Sequence, residues 1–286
     1  KDAILCMLSD SIDAHVMDAA GSALKVISSY STGFEHIDVA EATSRGIYVT
    51  FTADILAEAT ADLTFALLLA CARRIVDADR LVRQDKWKVG WMPDLMLGRD
   101  VHGATLGVIG LGRIGSAVAR RAKGFGMKIL YYNRSRNYTL EQELGASYSD
   151  LDRLLAQSDF VCLHTSSSST SRHLIDMSSL QKMKNTAFLI NTSRGPVVNE
   201  ADLAKALRDG LIAGAGLDVF EKEPLRKASP LVKLRNVVLL PHIGSATIQT
   251  RSKMGEIAAK NVLDVLNGRK PDSRFLVNPE AVGRQN

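Results

Sequence analysis

The chain has 286 residues, 46% of them hydrophobic, so it can bury one large core or two medium ones, and its length favours two domains. Lysine and arginine exceed aspartate and glutamate by 36 to 31, and this net charge of +5 is spread along the chain, which argues against a nucleic-acid partner and suits small anionic ligands. The longest apolar run, FALLLACA (65–72), is far too short to span a bilayer, and Cys6, Cys71 and Cys162 sit in apolar runs without metal or redox spacings; no metal, no membrane and a reducing compartment, the cytoplasm, are expected.

In chain order, AILCMLS, LKVISSY and GIYVT read as strands joined by segments of helical periodicity, and Lys1 leads so directly into the first that it does not read as a natural start. The stretch from Asp54 to Trp87 then carries few breakers, and its 65–72 portion is apolar on every side. Such a helix needs partners all round, supplied either by the protein's own domains or by a second subunit; the second is the expectation, a homodimer built on residues 57–82. From Gly103 onward, TLGVIG, MKILYY, DFVCLHT, TAFLINTS, AGAGLDVF and NVVLLPH alternate with helical stretches such as RIGSAVARRAKGFG and NEADLAKALRDG, the latter opened by an Asn199 cap and closed by Gly210. This alternation predicts an α/β fold, a doubly wound parallel sheet over residues 98–242, set within a smaller α/β domain made of 1–97 and 243–286. A last helix puts Met254, Ile257, Ala258, Val262, Val265 and Leu266 on one face, ends at Asn267 and Gly268, and should return to the first domain. The only low-complexity stretch is TSSSSTS (165–171).

Gly110, Gly112 and Gly115 form G-x-G-x-x-G, with Arg113 and Ile114 between the last two, directly after a strand and at the opening of a helix. In that context the glycines permit a tight turn, close approach to a pyrophosphate and close helix–strand packing, while the helix N-terminus attracts phosphate. About twenty residues on, such folds usually place a carboxylate on the adenosine ribose. Here stand Asn133, Arg134, Ser135 and Arg136, and the next acid is Glu141. A carboxylate would repel a 2′-phosphate, whereas two arginines and a serine can bind one, so the expected cofactor is NADP, with NADPH preferred over NADH.

Three further stretches end strands on the same sheet edge: INTSRGPVVNE with Arg194, AGLDVFEKEP with Asp218 and Glu223, and LLPHIGSAT with His242. An arginine can clamp a carboxylate, a histidine can move a carbinol proton, and a glutamate can orient the imidazole. Through GVIGLGRIGSAVARRAKGFGM and these three stretches the chain resembles, from about Lys1 to Pro271, the D-isomer-specific 2-hydroxyacid dehydrogenase family, and within it the glyoxylate and hydroxypyruvate reductases. The resemblance implies a Rossmann cofactor domain inserted in a flavodoxin-like substrate domain, and NADPH-dependent reduction of a small 2-oxo acid. It makes Arg194 the ligand of the substrate carboxylate and carbonyl, His242 the general acid/base and Glu223 its partner. It places the substrate carboxylate near the backbone of Leu8, Thr32 and Gly33, and Asp218 at the nicotinamide carboxamide. Thr192 and Ser193 line that pocket, with Thr165 and Gly244 among the remaining cofactor contacts.

The chain departs from that family in three places. It lacks the residues that supply the first strands of the substrate domain in relatives, so a fragment, or a sequence recorded without its beginning, is expected. LHTSSSST replaces a segment that usually holds a proline, and Leu95 stands where relatives often carry a tryptophan that reaches the neighbouring subunit's substrate pocket. The rival readings are a dinucleotide-sensing scaffold like the C-terminal-binding protein corepressors, for which the extra tails are missing, and another chemistry of the same family, such as oxidation of formate. The acid at Glu223 argues against formate, whose dehydrogenases are expected to carry an amide there.

Overall fold

The computed structural model describes residues 1–166 and 168–284. They form two compact units, one of residues 1–56 with the chain from Ser245 onward, the other of Ala57–Gly244. The first junction therefore lies ahead of the expected 97/98 boundary, because residues 57–72 pack into the larger unit.

In the smaller unit the chain runs β1 (Ala3–Cys6), α1 (Ala14–Ala20), β2 (Val26–Ser29), α2 (Val39–Ser44) and β3 (Tyr48–Thr50). The three strands are parallel in the order β1-β2-β3, with Ala3 opposite Val26 and Val26 opposite Tyr48. Asp13 and Asp38 open the two helices by accepting the N–H groups of Val16 and Glu41. Cys6, Met17, Ile27, Ile37 and Val49 form the core between sheet and helices.

The larger unit begins with α3 (Ala57–Ala72) and α4 (Ile75–Arg83). The single long helix expected here is broken at Arg74, whose φ of 54° is left-handed. Phe65, Leu67, Leu68, Cys71 and Ala72 are buried within this unit, so much of the apolar surface of α3 is covered by its own chain. There follow β4 (Thr105–Ile109), α5 (Arg113–Gly124), β5 (Lys128–Tyr132), α6 (Tyr138–Leu144), β6 (Ala146–Tyr148), α7 (Leu151–Gln157), β7 (Phe160–Leu163), α8 (Met177–Lys182), β8 (Phe188–Asn191), α9 (Glu200–Arg208), β9 (Gly214–Leu217) and β10 (Val237–Leu239). The sheet has seven parallel strands, one more than read from the sequence, in the order β10-β9-β8-β7-β4-β5-β6. The added strand is the short β6, only one residue of which is buried. The order reverses between β4 and β7, and in such sheets ligands bind beyond the C-terminal strand ends at that switch point. α3 packs on β8, β9, β10 and α5, while α7, α8 and α9 bury Leu154, Leu155, Leu180, Leu203 and Leu207 in the second core.

The chain returns to the smaller unit as α10 (Ile248–Leu266), capped by Thr247 and packed on β1 and β2. Met254, Ile257, Ala258 and Val265 are buried as expected, but Asn261 and Asp264 share that face and Leu266 is exposed. Asp264 answers its burial by pairing with Lys260 and Arg269.

Candidate functional site

The glycine turn lies at the switch point. Gly110 has φ +99°, and a Cβ there would stand 2.7 Å from the carbonyl carbon of His164 and 2.8 Å from the N of Thr165, both just beyond β7. A Cβ on Gly115 would meet the carbonyl oxygen of Gly110 at 2.1 Å, so side chains at either position would force the turn apart. Gly112 caps α5 without any side-chain hydrogen bond to the helix, and the space where its Cβ would lie is open. Arg113 begins α5, and Ile114 packs on the core behind it. An uncapped helix N-terminus behind an open glycine is a cradle that fits a dinucleotide pyrophosphate.

After β5, the Oδ1 of Asn133 accepts the N–H of Leu111 at 2.7 Å and so ties this loop to the glycine turn. Arg134, Ser135 and Arg136 are exposed. The two arginines differ, however, in their surroundings. Arg136 is held bidentately by Glu141, Nε to Oε1 at 2.7 Å and Nη2 to Oε2 at 2.8 Å, and it lies 4.7 Å from the centroid of the Tyr138 ring. Tyr131 donates its hydroxyl to the same Glu141 at 2.6 Å. The hydrogen bonds from Arg136 and Tyr131 hold the Glu141 carboxyl down to about 2. The carboxylate absent from the strand end is thus present on α6, paired with one of the arginines expected to face phosphate.

Beyond β8, Asn191 shapes the next loop. Its Oδ1 accepts the N–H and hydroxyl of Ser193, and its amide donates to the carbonyl of Arg194 at 3.0 Å. Thr192 shares its hydroxyl with Thr64 of α3 at 2.8 Å, so the hydroxyls of Thr192 and Ser193, both read as lining a pocket, are bonded within the protein. Nη1 of Arg194 donates to the carbonyl of Ser193. Gly195 is pressed on the loop beyond β9, where a Cβ would lie 1.8 Å from the carbonyl carbon of Phe220.

That neighbouring loop carries Glu223. Its Oε1 accepts the N–H of Phe220 at 3.0 Å and its Oε2 stands 2.7 Å from Nδ1 of His242. Burial pushes this carboxyl up, but the bonds from His242 and Phe220, with the charges of His242 and Arg194, outweigh it and leave the group below its ordinary value. Glu200 and Glu221 brace the same segment by exchanging backbone N–H and carboxylate bonds.

His242 has a left-handed φ of 55°, unusual for a residue with a side chain. Asp218 enforces it. Its carbonyl accepts the N–H of His242 at 2.9 Å, and its two carboxylate oxygens accept those of Ile243 and Gly244 at 2.8 Å each. Asp218 is 1% exposed, and burial raises its carboxyl despite these bonds. With Nδ1 turned to Glu223, Nε2 is the ring atom left to exchange a proton. Arg194, Glu223 and His242 therefore converge on one edge as a cation, a carboxylate and an imidazole, a set able to bind an acid and protonate a carbonyl oxygen.

In the smaller unit, Leu8 lies in the turn after β1, and Thr32 and Gly33 in the turn after β2, where the Gly33 carbonyl accepts the hydroxyls of Ser29 and Ser31. Among the described residues no group of histidine, cysteine or acid side chains could hold a metal, and no helix is long and apolar enough to cross a membrane. Asn191, Thr64, Glu200, Glu221 and Gly195 were not singled out in the sequence. All but Thr64 lie in or beside the quoted strand-end stretches, which is the one signal that could have found them.

Residues 65–244 match the family model for the D-isomer specific 2-hydroxyacid dehydrogenase NAD binding domain. Among curated proteins, the glyoxylate reductases of Korarchaeum cryptofilum and Thermococcus litoralis are 54% and 51% identical to this chain, each over 98% of it and over 84% and 85% of their own lengths. Among solved structures, a protein from Thermus thermophilus matches with a TM-score of 0.90 at 46% identity, over 96% of this chain and 85% of its own. The NADPH-dependent glyoxylate/hydroxypyruvate reductase of Sinorhizobium meliloti, in complex with NADP and malonate, matches with a TM-score of 0.85 at 33% identity, over 96% of this chain and 86% of its own.

Proposed function

We propose that this chain, which belongs to the D-isomer specific 2-hydroxyacid dehydrogenase family, reduces glyoxylate, and with it hydroxypyruvate, to the 2-hydroxy acid. The observation that carries the reading is the 2.7 Å contact between His242 Nδ1 and Glu223 Oε2, in a loop that Asp218 holds at a strand end. A bound dinucleotide supplies hydride to the carbonyl carbon. Nε2 of His242 delivers the proton to the carbonyl oxygen, Glu223 holds the imidazole in that tautomer, and Arg194 neutralises the charge growing on the oxygen.

The cofactor in this reading is NADPH. Arg134 and Ser135 meet the 2′-phosphate, and Arg136 contributes as a member of its pair with Glu141. Thr165 and Gly244 remain cofactor contacts, and Asp218 acts through the loop it braces. The protein acts as a cytoplasmic homodimer, supported by an apolar surface on and after α4: Ile75, Val82, Trp87, Leu95 and Leu97 are exposed, and Trp91 is 86% exposed. An obligate interface of about 2,000 Å² would cover it. Sedimentation equilibrium tests this, and a monomer at micromolar concentration contradicts it.

The function is tested by following NADPH and NADH oxidation with glyoxylate, hydroxypyruvate, pyruvate and phenylpyruvate. Glyoxylate with NADPH should give the highest or second-highest kcat/KM. An absence of turnover with every oxo acid, alongside intact dinucleotide binding, would favour the scaffold reading instead.

A further inference from the structure

Glu141 has no place in the reaction, yet its carboxylate serves both Arg136 and Tyr131. Its side chain is only 13% exposed against 48% for Arg136, so its position is settled by packing and the arginine comes to it. Tyr131 fixes the arrangement further by accepting the N–H of Asn137, the residue that caps α6. The other nearby acid, Glu143, is engaged by Arg120 and is not a second partner for this loop.

The charge balance follows. Arg136 and Glu141 sum to zero, so the loop after β5 presents to an anion the single uncompensated charge of Arg134. We propose that Glu141 is a specificity-determining residue that sets the strength of the preference for NADP over NAD by cancelling the charge of Arg136. It touches neither hydride nor substrate. It sets how much positive potential a 2′-phosphate meets, and a molecule without that phosphate is indifferent to it. The inference rests on the reading that this loop receives the 2′-phosphate.

Binding tests it apart from turnover. NADP⁺ and NAD⁺ are titrated calorimetrically into the full-length wild type, Glu141→Gln, Arg136→Ala, the double variant and Arg134→Ala, each checked by thermal unfolding. Glutamine keeps an acceptor for Tyr131, and Glu141→Ala stands in if it fails to fold. Counting charge at the loop gives +2 for Glu141→Gln, +1 for wild type and for the double variant, and 0 for Arg136→Ala. NADP⁺ affinity should follow that order, by about tenfold per charge at low salt and less at high salt, with NAD⁺ changing by less than about twofold. The decisive variant is the double. If Arg136 contacts the phosphate directly and Glu141 merely positions it, the double variant will bind NADP⁺ as weakly as Arg136→Ala, and Glu141→Gln will bind it no better than wild type; either result overturns the proposal. Loss of NADP⁺ affinity in Arg134→Ala without a gain in Glu141→Gln sinks this inference alone, whereas Arg134→Ala indistinguishable from wild type removes the cofactor reading beneath it.

Discussion

Replacing Gly195 by alanine adds one carbon at the place where the two loops of the site press together. The new Cβ would stand 1.8 Å from the carbonyl carbon of Phe220, 1.9 Å from its oxygen and 2.4 Å from the N of Glu221. All three are backbone atoms and none can rotate away. To reach ordinary contact at 3.4 Å the loops must part by 1.6 Å along that line. Arg194 adjoins the glycine, and Glu223 lies three residues past Phe220, so whichever loop yields carries a site residue with it. Overpacking of this kind costs about 1–3 kcal/mol of stability, and a misplacement of about 1 Å at reacting groups costs about a hundredfold in rate. Gly195→Ala should therefore fold, melt a few degrees lower, bind NADP⁺ as before, and lose about two orders of magnitude in kcat/KM for glyoxylate. Gly124→Ala, where a Cβ meets nothing within 4 Å, is the control and should be neutral. A folded Gly195→Ala protein with kcat/KM within about threefold of wild type would refute the claim that this contact sets the spacing of the site.

Glu223 ionises below its ordinary value of 4.5 in the folded protein, so its stabilising contribution is complete above about pH 4.5 and is lost as pH falls through the lower folded value. In His242→Asn the bond and charge that lower it are gone and burial should dominate, so a ¹³C titration of the Glu223 carboxyl should move upward; an unmoved titration would mean the pair is not coupled. Burial alone depresses the His164 imidazole to about 3, and neither ring nitrogen has a partner among the described residues. The unfolded chain takes up that proton near pH 6.5 and the folded one does not, so stability falls with pH between about 6.5 and 3. His164→Leu should make that acid slope shallower by about 1.4 kcal/mol per pH unit in urea unfolding, and an unchanged slope would contradict the assignment. Asn191→Ala frees the loop holding Arg194 and should raise KM for glyoxylate by about tenfold or more, with NADP⁺ affinity unchanged; an unchanged KM would show that the loop holds its shape without Asn191.

Features carried by short, local patterns were legible in the sequence. The glycine turn, the cap at Asn199, and the strand ends bearing Arg194, Asp218, Glu223 and His242 all stand where residue type and spacing placed them. What the sequence hid depends on contacts across the chain. The all-round apolar surface of α3 carries no sign of what covers it, because its partners are α5 and the distant strands β8 to β10, the latter more than a hundred residues away. The break at Arg74 has no glycine or proline to mark it. The pairing of Arg136 with Glu141 was hidden because a spacing of five residues does not reveal that Arg136 and Tyr131 share one carboxylate. Thr64 acts through a tertiary hydrogen bond to Thr192, and Asn191 through side-chain bonds within its own loop, and neither leaves a periodic trace.

The central claim is that His242, held by Glu223 and Asp218, passes the proton in glyoxylate reduction, and rapid mixing of the NADPH-loaded full-length enzyme with glyoxylate tests it most directly. Wild type should oxidise its bound NADPH in a single turnover. His242→Ala should do so slower by a factor of about 10²–10⁴ at every pH, while binding NADP⁺ within about twofold of wild type. A His242→Ala enzyme that turns over within about tenfold of wild type, or a wild type that leaves NADPH untouched by glyoxylate, would contradict the account.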